Sequence, residues 1–202
     1  MRAKIPPMKR QDEVWRRLCD EIGADFVKGG FLRGNKVQAH PGEWTVTFDT
    51  YTVSTGQSHV TYTRIRAPYL SIDGFRFALY RRNLLSNLRR LLGIQDIETG
   101  YPEFDREFVV KSNNQAKAMA LFFNEKIRRL VREQPSIRLE VKDDEGWFGK
   151  RFPEGVDELC FHVRGSIRDV ARLKSLYILF SEVLNELCRI GSAVQRNPQF
   201  NI

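Results

Sequence analysis

Two stretches in the second half of the chain alternate between apolar and polar residues. The first is Ile137–Lys142 and the second is Glu158–Arg164, and each has an apolar residue at every other position. Successive side chains of a strand point to opposite sides of a sheet, so this period of two predicts half-buried strands. Such strands are typical of antiparallel sheets with one face on the core and one face in water. We therefore expect an antiparallel sheet with helices packed on one face.

Helical periodicity elsewhere in the chain predicts the layer that covers this sheet. The predicted helices are Gln11–Lys28, Asn83–Gly93, a helix from a capping box at Ser112 to about Glu133, and a helix from a second capping box at Ser166 to about Ile190. The third helix is expected to bury Met119 and Phe123 together with its other apolar residues.

Further strands are predicted in the first half and at the midpoint of the chain. Trp44–Val53 and His59–Arg66 read as a hairpin that Pro68 ends, and Phe75–Tyr80 reads as the third strand of a meander. Phe104–Lys111 reads as a strand. The predicted order is αβββα followed by βαββα, an α+β fold. The connector 94–102 divides the chain into halves 1–97 and 103–192, and a single continuous domain stays open.

The composition predicts a chain that folds around a hydrophobic core, and its cysteines favour a reducing compartment. Of 202 residues, 42% are hydrophobic and 29% are charged, which is enough apolar material to bury a core. Cys19, Cys160 and Cys188 form no C-x-x-C pair, which argues against a disulfide framework. No apolar run has the length of a membrane span, so a cytoplasmic location is expected.

The formal charge of +8 favours anionic partners, although the basic residues are scattered. Arginine pairs recur along the chain, and the candidate basic surface consists of Arg81, Arg82, Arg128, Arg129 and Arg132. Phosphate contacts need such charge, but nucleic-acid readers usually add a recognisable module, and none is found here. This argues against nucleic acid as the partner.

The loop 146–155 between the last two predicted strands concentrates aromatic and basic residues. Its candidate contact residues are Trp147, Phe148, Lys150, Arg151 and Phe152. Aromatic anchors beside cations suit a protein partner or a membrane surface. The alternative is that the aromatic residues fold back over the open end of the sheet.

No pattern predicts a catalytic, metal or cofactor site. Cys160 and His162 share one face of a predicted strand, but no further ligand pair accompanies them, and a nucleophilic pair needs more than this spacing. The acidic run Asp143–Glu145 lacks the spacing of a calcium loop and reads as a solvated hairpin shoulder.

The strand Phe104–Lys111 and the helix that begins at Asn114-Gln115-Ala116 resemble a signature of an uncharacterised bacterial family often found beside LemA. The resemblance covers about Phe104–Val163. Members typically carry two membrane helices before a soluble domain, and these 202 residues contain no such helices. The family has no established catalytic residues, so the resemblance implies no site.

These observations favour a non-catalytic binding or scaffold module with a basic, aromatic-bearing surface. Its partner would be a protein or a peripheral membrane surface. Two alternatives stay open, namely an enzyme with a dispersed active site and a nucleic-acid binder. Free strand edges and a long apolar helix also allow a homodimer.

Overall fold

The computed structural model describes residues 10–30, 34–56, 58–82, 95–143 and 152–198. In chain order the elements are α1 (Arg10–Ile22), β1 (Asp25–Val27), β2 (Lys36–Ala39), β3 (Val46–Thr55), β4 (Ser58–Ser71), β5 (Phe77–Arg81), β6 (Gln95–Ile97), α2 (Pro102–Glu107), β7 (Phe108–Ser112), α3 (Gln115–Phe123), α4 (Glu125–Arg132), β8 (Arg138–Lys142), β9 (Val156–Arg164), α5 (Val170–Arg189) and β10 (Ala193–Val194). The predicted helix Asn83–Gly93 lies outside the described residues.

The strands form one antiparallel sheet to which both halves of the chain contribute. Its order is β1-β2-β3-β4-β9-β8-β5-β7-β6, and β10 pairs with the end of β4. The hairpin β3–β4 is the predicted one, and β4 then pairs with β9. This architecture confirms the predicted α+β class with an antiparallel sheet.

The helices of the described ranges pack on one face of the sheet. Strand side chains on this face, such as Phe48 in β3, Leu139 in β8 and Phe161 in β9, are fully buried in one hydrophobic core. Helix α5 closes the core and contacts α1, α3 and α4. Its fully buried stripe has helical spacing and consists of Leu173, Leu176, Leu179, Phe180, Val183, Leu184 and Leu187.

The predicted meander is wrong, because β5 lies between β7 and β8 instead of beside β4. Pro68 also does not end β4, since it pairs with Glu158 of β9 inside that strand. Proline lacks an N–H and is tolerated where the ladder needs no donor. The N–H of Ser71 donates towards β9 and that of Ile72 towards β10. Because successive N–H groups of a strand point in opposite directions, the nitrogen of Pro68 points away from β9. It lies past Arg66, the last residue of β4 that pairs with β3, so no described strand there needs its N–H.

Two predicted elements change type because turn and cap residues interrupt them. Helix α1 ends at Ile22, since Gly23 adopts a φ of +65° and Asp25–Val27 pairs with β2 as a strand. The predicted strand at Phe104 begins instead as α2, with Pro102 in its first turn.

Both predicted capping boxes are wrong, and other side chains cap the helices. Asn114 accepts a hydrogen bond from the N–H of Lys117, whereas Ser112 belongs to β7. Asp169 caps α5 by accepting from the N–H groups of Ala171 and Arg172. The helix predicted to run to Glu133 is two helices, because Asn124 ends α3 and caps α4.

Candidate functional site

Most of the predicted contact loop falls outside the part of the chain that the structure describes. Trp147, Phe148, Lys150 and Arg151 all lie there. Phe152 is described and is buried, with 8% of its surface exposed, while its N–H donates to the carbonyl of Asp143 at 3.1 Å. Phe152 therefore presents little surface to a partner.

Arg81 and Arg82 of the predicted basic surface bind neighbouring backbone and carboxylate groups. The guanidinium of Arg81 lies 3.1 Å from the carboxylate of Glu107 and donates to the carbonyls of Arg132 and Gln134, each at 3.0 Å. Arg82 donates to the Asp105 carbonyl at 2.8 Å. These contacts join the end of β5 to α2 and to the end of α4, which gives both residues a structural role.

Arg128, Arg129 and Arg132 line a groove between α2 and α4, and the structure adds Arg106 to them. This α2–α4 groove has a volume of about 940 Å³. Its walls carry four arginines and three glutamates, and they consist of Tyr101, Pro102, Glu103, Arg106, Glu125, Arg128, Arg129, Arg132 and Glu133. The groove is therefore only slightly basic.

Arg128 forms the fixed floor of the groove. Its guanidinium lies 3.5 Å from the centroid of the Tyr101 ring, and it donates to the carbonyls of Phe122 and Phe123 at the end of α3. A cation stacked on an aromatic face and bonded to helix-end carbonyls is held in one orientation. Tyr101 and Arg128 are thus a preformed surface.

Arg132 is neutralised, whereas Arg106 and Arg129 have no carboxylate partner in the part of the chain that the structure describes. Arg132 lies 3.4 Å from the carboxylate of Glu107 and 3.7 Å from that of Glu103. The side chains of Arg106 and Arg129 are exposed, and neither forms an ion pair or hydrogen bond with another described residue. Glu125 is one turn before Arg129 but forms no ion pair with it. Two cations are therefore available to an anionic group in the groove.

An apolar depression adjoins the groove and shares Tyr101 with it. It has a volume of about 530 Å³ and is lined by Thr99, Gly100, Tyr101, Met119, Ala120, Phe123 and Arg189. Met119 and Phe123 were predicted to be buried, and that prediction is wrong, since they are 40% and 70% exposed. They lie one turn apart on α3, so they form a small exposed apolar patch.

The sheet face opposite the described helices carries a second cluster, of buried and half-buried polar side chains. This polar sheet face consists of Asp49, Arg64, Arg66, Glu140, Lys142, Glu158, Cys160 and His162, on β3, β4, β8 and β9. Arg64 binds Asp49 through two nitrogens at 2.8 and 2.9 Å. The prediction that one face of β9 is exposed to solvent is wrong, because Glu158 and Cys160 on that face are each only 1% exposed.

Burial shifts the pKa values of Cys160, His162 and Glu158. It raises the pKa of the Cys160 thiol to about 12 and lowers the pKa of His162 to about 4. Burial also raises the pKa of Glu158, although Lys142 and Arg66 oppose that shift. At neutral pH Cys160 is protonated and His162 is uncharged, a state that disfavours a thiolate nucleophile.

Metal and membrane features are absent from the part of the chain that the structure describes. No group of three or more His, Cys, Asp or Glu side chains is placed there to hold a metal ion. None of the helices described combines the length and apolar character that a membrane crossing requires.

No protein-family model matches the chain, and neither curated protein sequences nor solved structures gave a match. The resemblance to the LemA-associated family therefore stays an expectation. The site must be judged from its own geometry.

Sequence reasoning found the arginines of α4 but missed Arg106, Tyr101 and Phe123. Arg106 was assigned to a strand, and Phe123 to the buried face of one long helix. The available signals were Pro102, which favours the first turn of a helix, and Asn124, which favours a cap. Pro102 lines the groove, and Asn124 directly precedes the lining residue Glu125, so both signals mark the groove that sequence alone did not predict.

Proposed function

We propose that this protein is a non-catalytic binding module that contacts a protein partner through the α2–α4 groove and the adjoining Met119–Phe123 patch. The observation that carries the proposal is a groove with two arginines, Arg106 and Arg129, that pair with no other described residue, and an adjoining depression whose Phe123 side chain is 70% exposed. Arginine, methionine and aromatic residues are enriched in protein–protein interfaces relative to the rest of the surface.

Energetics support a partner for this surface. Burial of a Phe side chain stabilises a complex by about 1.5–3 kcal/mol relative to leaving it exposed. Arginine binds carboxylates through charge-assisted hydrogen bonds that are about twice as strong as neutral ones. Because Arg128 and Tyr101 are already fixed by their contacts, the floor of the groove needs little ordering when a partner binds.

The protonation states on the polar sheet face favour a binding role over thiol chemistry. Cys160 is a protonated, buried thiol, and the neutral imidazole of His162 lies 3.9 Å from the carboxylate of Glu140. The other cysteines are also free thiols, which suits a cytoplasmic location for the complex.

Site-specific cross-linking tests the proposal. A photoactivatable phenylalanine replaces Phe123 in the full chain, and a matched control carries it at the exposed Arg168, before α5. We expect discrete cross-linked proteins in lysate of the source cells from position 123 only. The double variant Arg106→Glu/Arg129→Glu should reduce their yield about tenfold, a change of about 1.4 kcal/mol.

The control double variant Arg17→Glu/Arg168→Glu changes the net charge equally, at exposed positions far along the chain from the groove. It should leave the yield unchanged. Equal cross-linking from positions 123 and 168, or equal loss in both double variants, would contradict a specific role for the groove.

A further inference from the structure

The α2–α4 groove and the apolar depression meet at Tyr101, and the two together are called the trough. They share Tyr101, whose ring Arg128 covers, so a ligand that follows the trough passes over this stacked pair. On one side it meets Arg106 and Arg129, which form no ion pair with any residue of the described ranges. On the other side it meets the exposed side chains of Met119 and Phe123.

Charge balance in the groove selects among anionic partners. The four arginines lie among three glutamates, namely Glu103, Glu125 and Glu133. A polyanion such as nucleic acid or an anionic membrane places charge continuously along the surface and would be repelled by these carboxylates. One or two carboxylates at defined positions can instead reach Arg106 and Arg129 and avoid the glutamates.

We infer that the occupant is a linear segment of a partner protein that carries an Asp or Glu next to a large apolar side chain. The carboxylate binds Arg106 and Arg129, and the apolar side chain packs on Met119 and Phe123. Because the two halves of the trough share Tyr101, a single extended peptide that passes over this residue can contact both. This inference rests on the proposed function, since it names the partner of the same surface.

A synthetic peptide array tests the inference with the full-length protein. The array varies acidic and apolar positions independently, and fluorescence anisotropy then measures the affinity of selected peptides. We expect enrichment of peptides that combine an acidic and a large apolar residue. Exchange of the acidic residue for its amide should weaken binding about tenfold, and raised ionic strength should weaken it as well.

Matched variants assign the binding to the trough. Arg106→Glu/Arg129→Glu should weaken the acid-dependent affinity about tenfold and Phe123→Ser about fivefold, and Arg17→Glu/Arg168→Glu should change neither. Circular dichroism confirms that each variant is folded. An array without acidic-apolar enrichment, or enriched peptides whose affinity the trough variants leave unchanged, would overturn the inference.

Other occupants would also overturn it and are measured directly. Double-stranded DNA and vesicles with anionic lipid are each titrated against the same variants. Binding that is lost in Arg106→Glu/Arg129→Glu assigns the trough to a polyanion. A dimer that Phe123→Ser dissolves, seen by size-exclusion chromatography with light scattering, assigns it to a second copy. Successful cross-linking from position 123 without peptide enrichment would leave the proposed function standing and reject the linear segment.

Discussion

Glu158 lies in the middle of the sheet, and 1% of its side chain is exposed. Its carboxylate is 3.4 Å from the ammonium group of Lys142 and 3.9 Å from the guanidinium of Arg66. Arg66 is itself buried and binds Asp49 at 3.0 Å. A buried charge is tolerated only with such partners, because desolvation costs several kcal/mol for each ion.

The variant Glu158→Gln should therefore destabilise the protein. Removal of one charge leaves Lys142 and Arg66 partly uncompensated, and we expect a loss of about 3 kcal/mol in the free energy of unfolding. Urea denaturation at neutral pH measures this loss. The control Glu103→Gln changes a carboxylate that is 75% exposed and should have no measurable effect. Equal stability of both variants would contradict the assigned role of Glu158.

His162 makes stability depend on pH. Its folded-state pKa is about 4, below the ordinary value of 6.5, because burial disfavours the charged imidazole. Between these two values the unfolded chain binds a proton that the folded chain does not, so stability falls as the pH falls through this window. The contribution is fully present above pH 6.5 and lost towards pH 4.

Removal of this imidazole should make stability less sensitive to acid. We expect His162→Asn to lose about 2 kcal/mol less than the unchanged protein between pH 7 and pH 4.5, by the linkage relation. Urea denaturation at both pH values gives the difference. His59 is exposed, and His59→Asn serves as the control that should keep the full dependence. An identical pH dependence in all three proteins would reject the assignment to His162.

At the scale of elements, the helix caps decide where helices begin and end. Ser112 and Ser166 match the capping-box pattern, but neither caps a helix. Ser112 belongs to β7, and the backbone next to Ser166 is bonded to β4. The N–H of Ile167 donates to the hydroxyl of Thr63 at 2.9 Å, and that hydroxyl donates to the Gly165 carbonyl at 2.8 Å. The chain before α5 is thereby tied to β4, and Asp169 is left to cap the helix.

This assignment predicts different costs for two neighbouring alanine variants. Asp169→Ala removes the acceptor for the N–H groups of Ala171 and Arg172 and should cost about 1 kcal/mol of unfolding free energy. Ser166→Ala should cost much less, because the exposed Ser166 side chain does not cap the helix. Thermal or urea unfolding of both variants measures the difference. A larger loss of unfolding free energy for Ser166→Ala would contradict this assignment and support Ser166 as the cap of α5.

At the scale of the whole molecule, the sheet interleaves the two halves of the chain. Strand β4 pairs with β9, and β5 lies between β7 and β8. The core likewise joins Trp15 and Phe48 to Phe161 and Phe180. Strands that exchange hydrogen bonds across the chain depend on each other for burial and for backbone pairing.

We therefore expect one cooperative unfolding transition for the full chain. Tryptophan fluorescence and far-ultraviolet circular dichroism should give coincident urea curves. The fragment 1–97 should not fold alone, since β4 and β5 would lose β9, β7 and β8, and its amide NMR spectrum should show poor dispersion. Two separated transitions, or a folded fragment, would contradict this dependence.

Patterns local in sequence predicted part of this structure. The alternation in β8, the turn of the β3–β4 hairpin and the apolar stripe of α5 determine strands and a helix wherever they occur. Composition and the arginines of α4 likewise pointed to a basic surface. Asn124 signals the break between α3 and α4, but local pattern could not predict that Met119 and Phe123 are exposed, because contacts with distant residues decide which face of α3 meets the core.

The sequence by itself determined the α+β class and the antiparallel sheet, because secondary-structure period is read from neighbouring residues. Only the tertiary structure decided the strand order, the burial of Glu158 beside Lys142 and Arg66, and the placement of Arg106 and Arg129 in the same groove. The physical reason is that strand pairing and the approach of two helices depend on contacts between distant residues, and a single sequence does not record which distant residues meet.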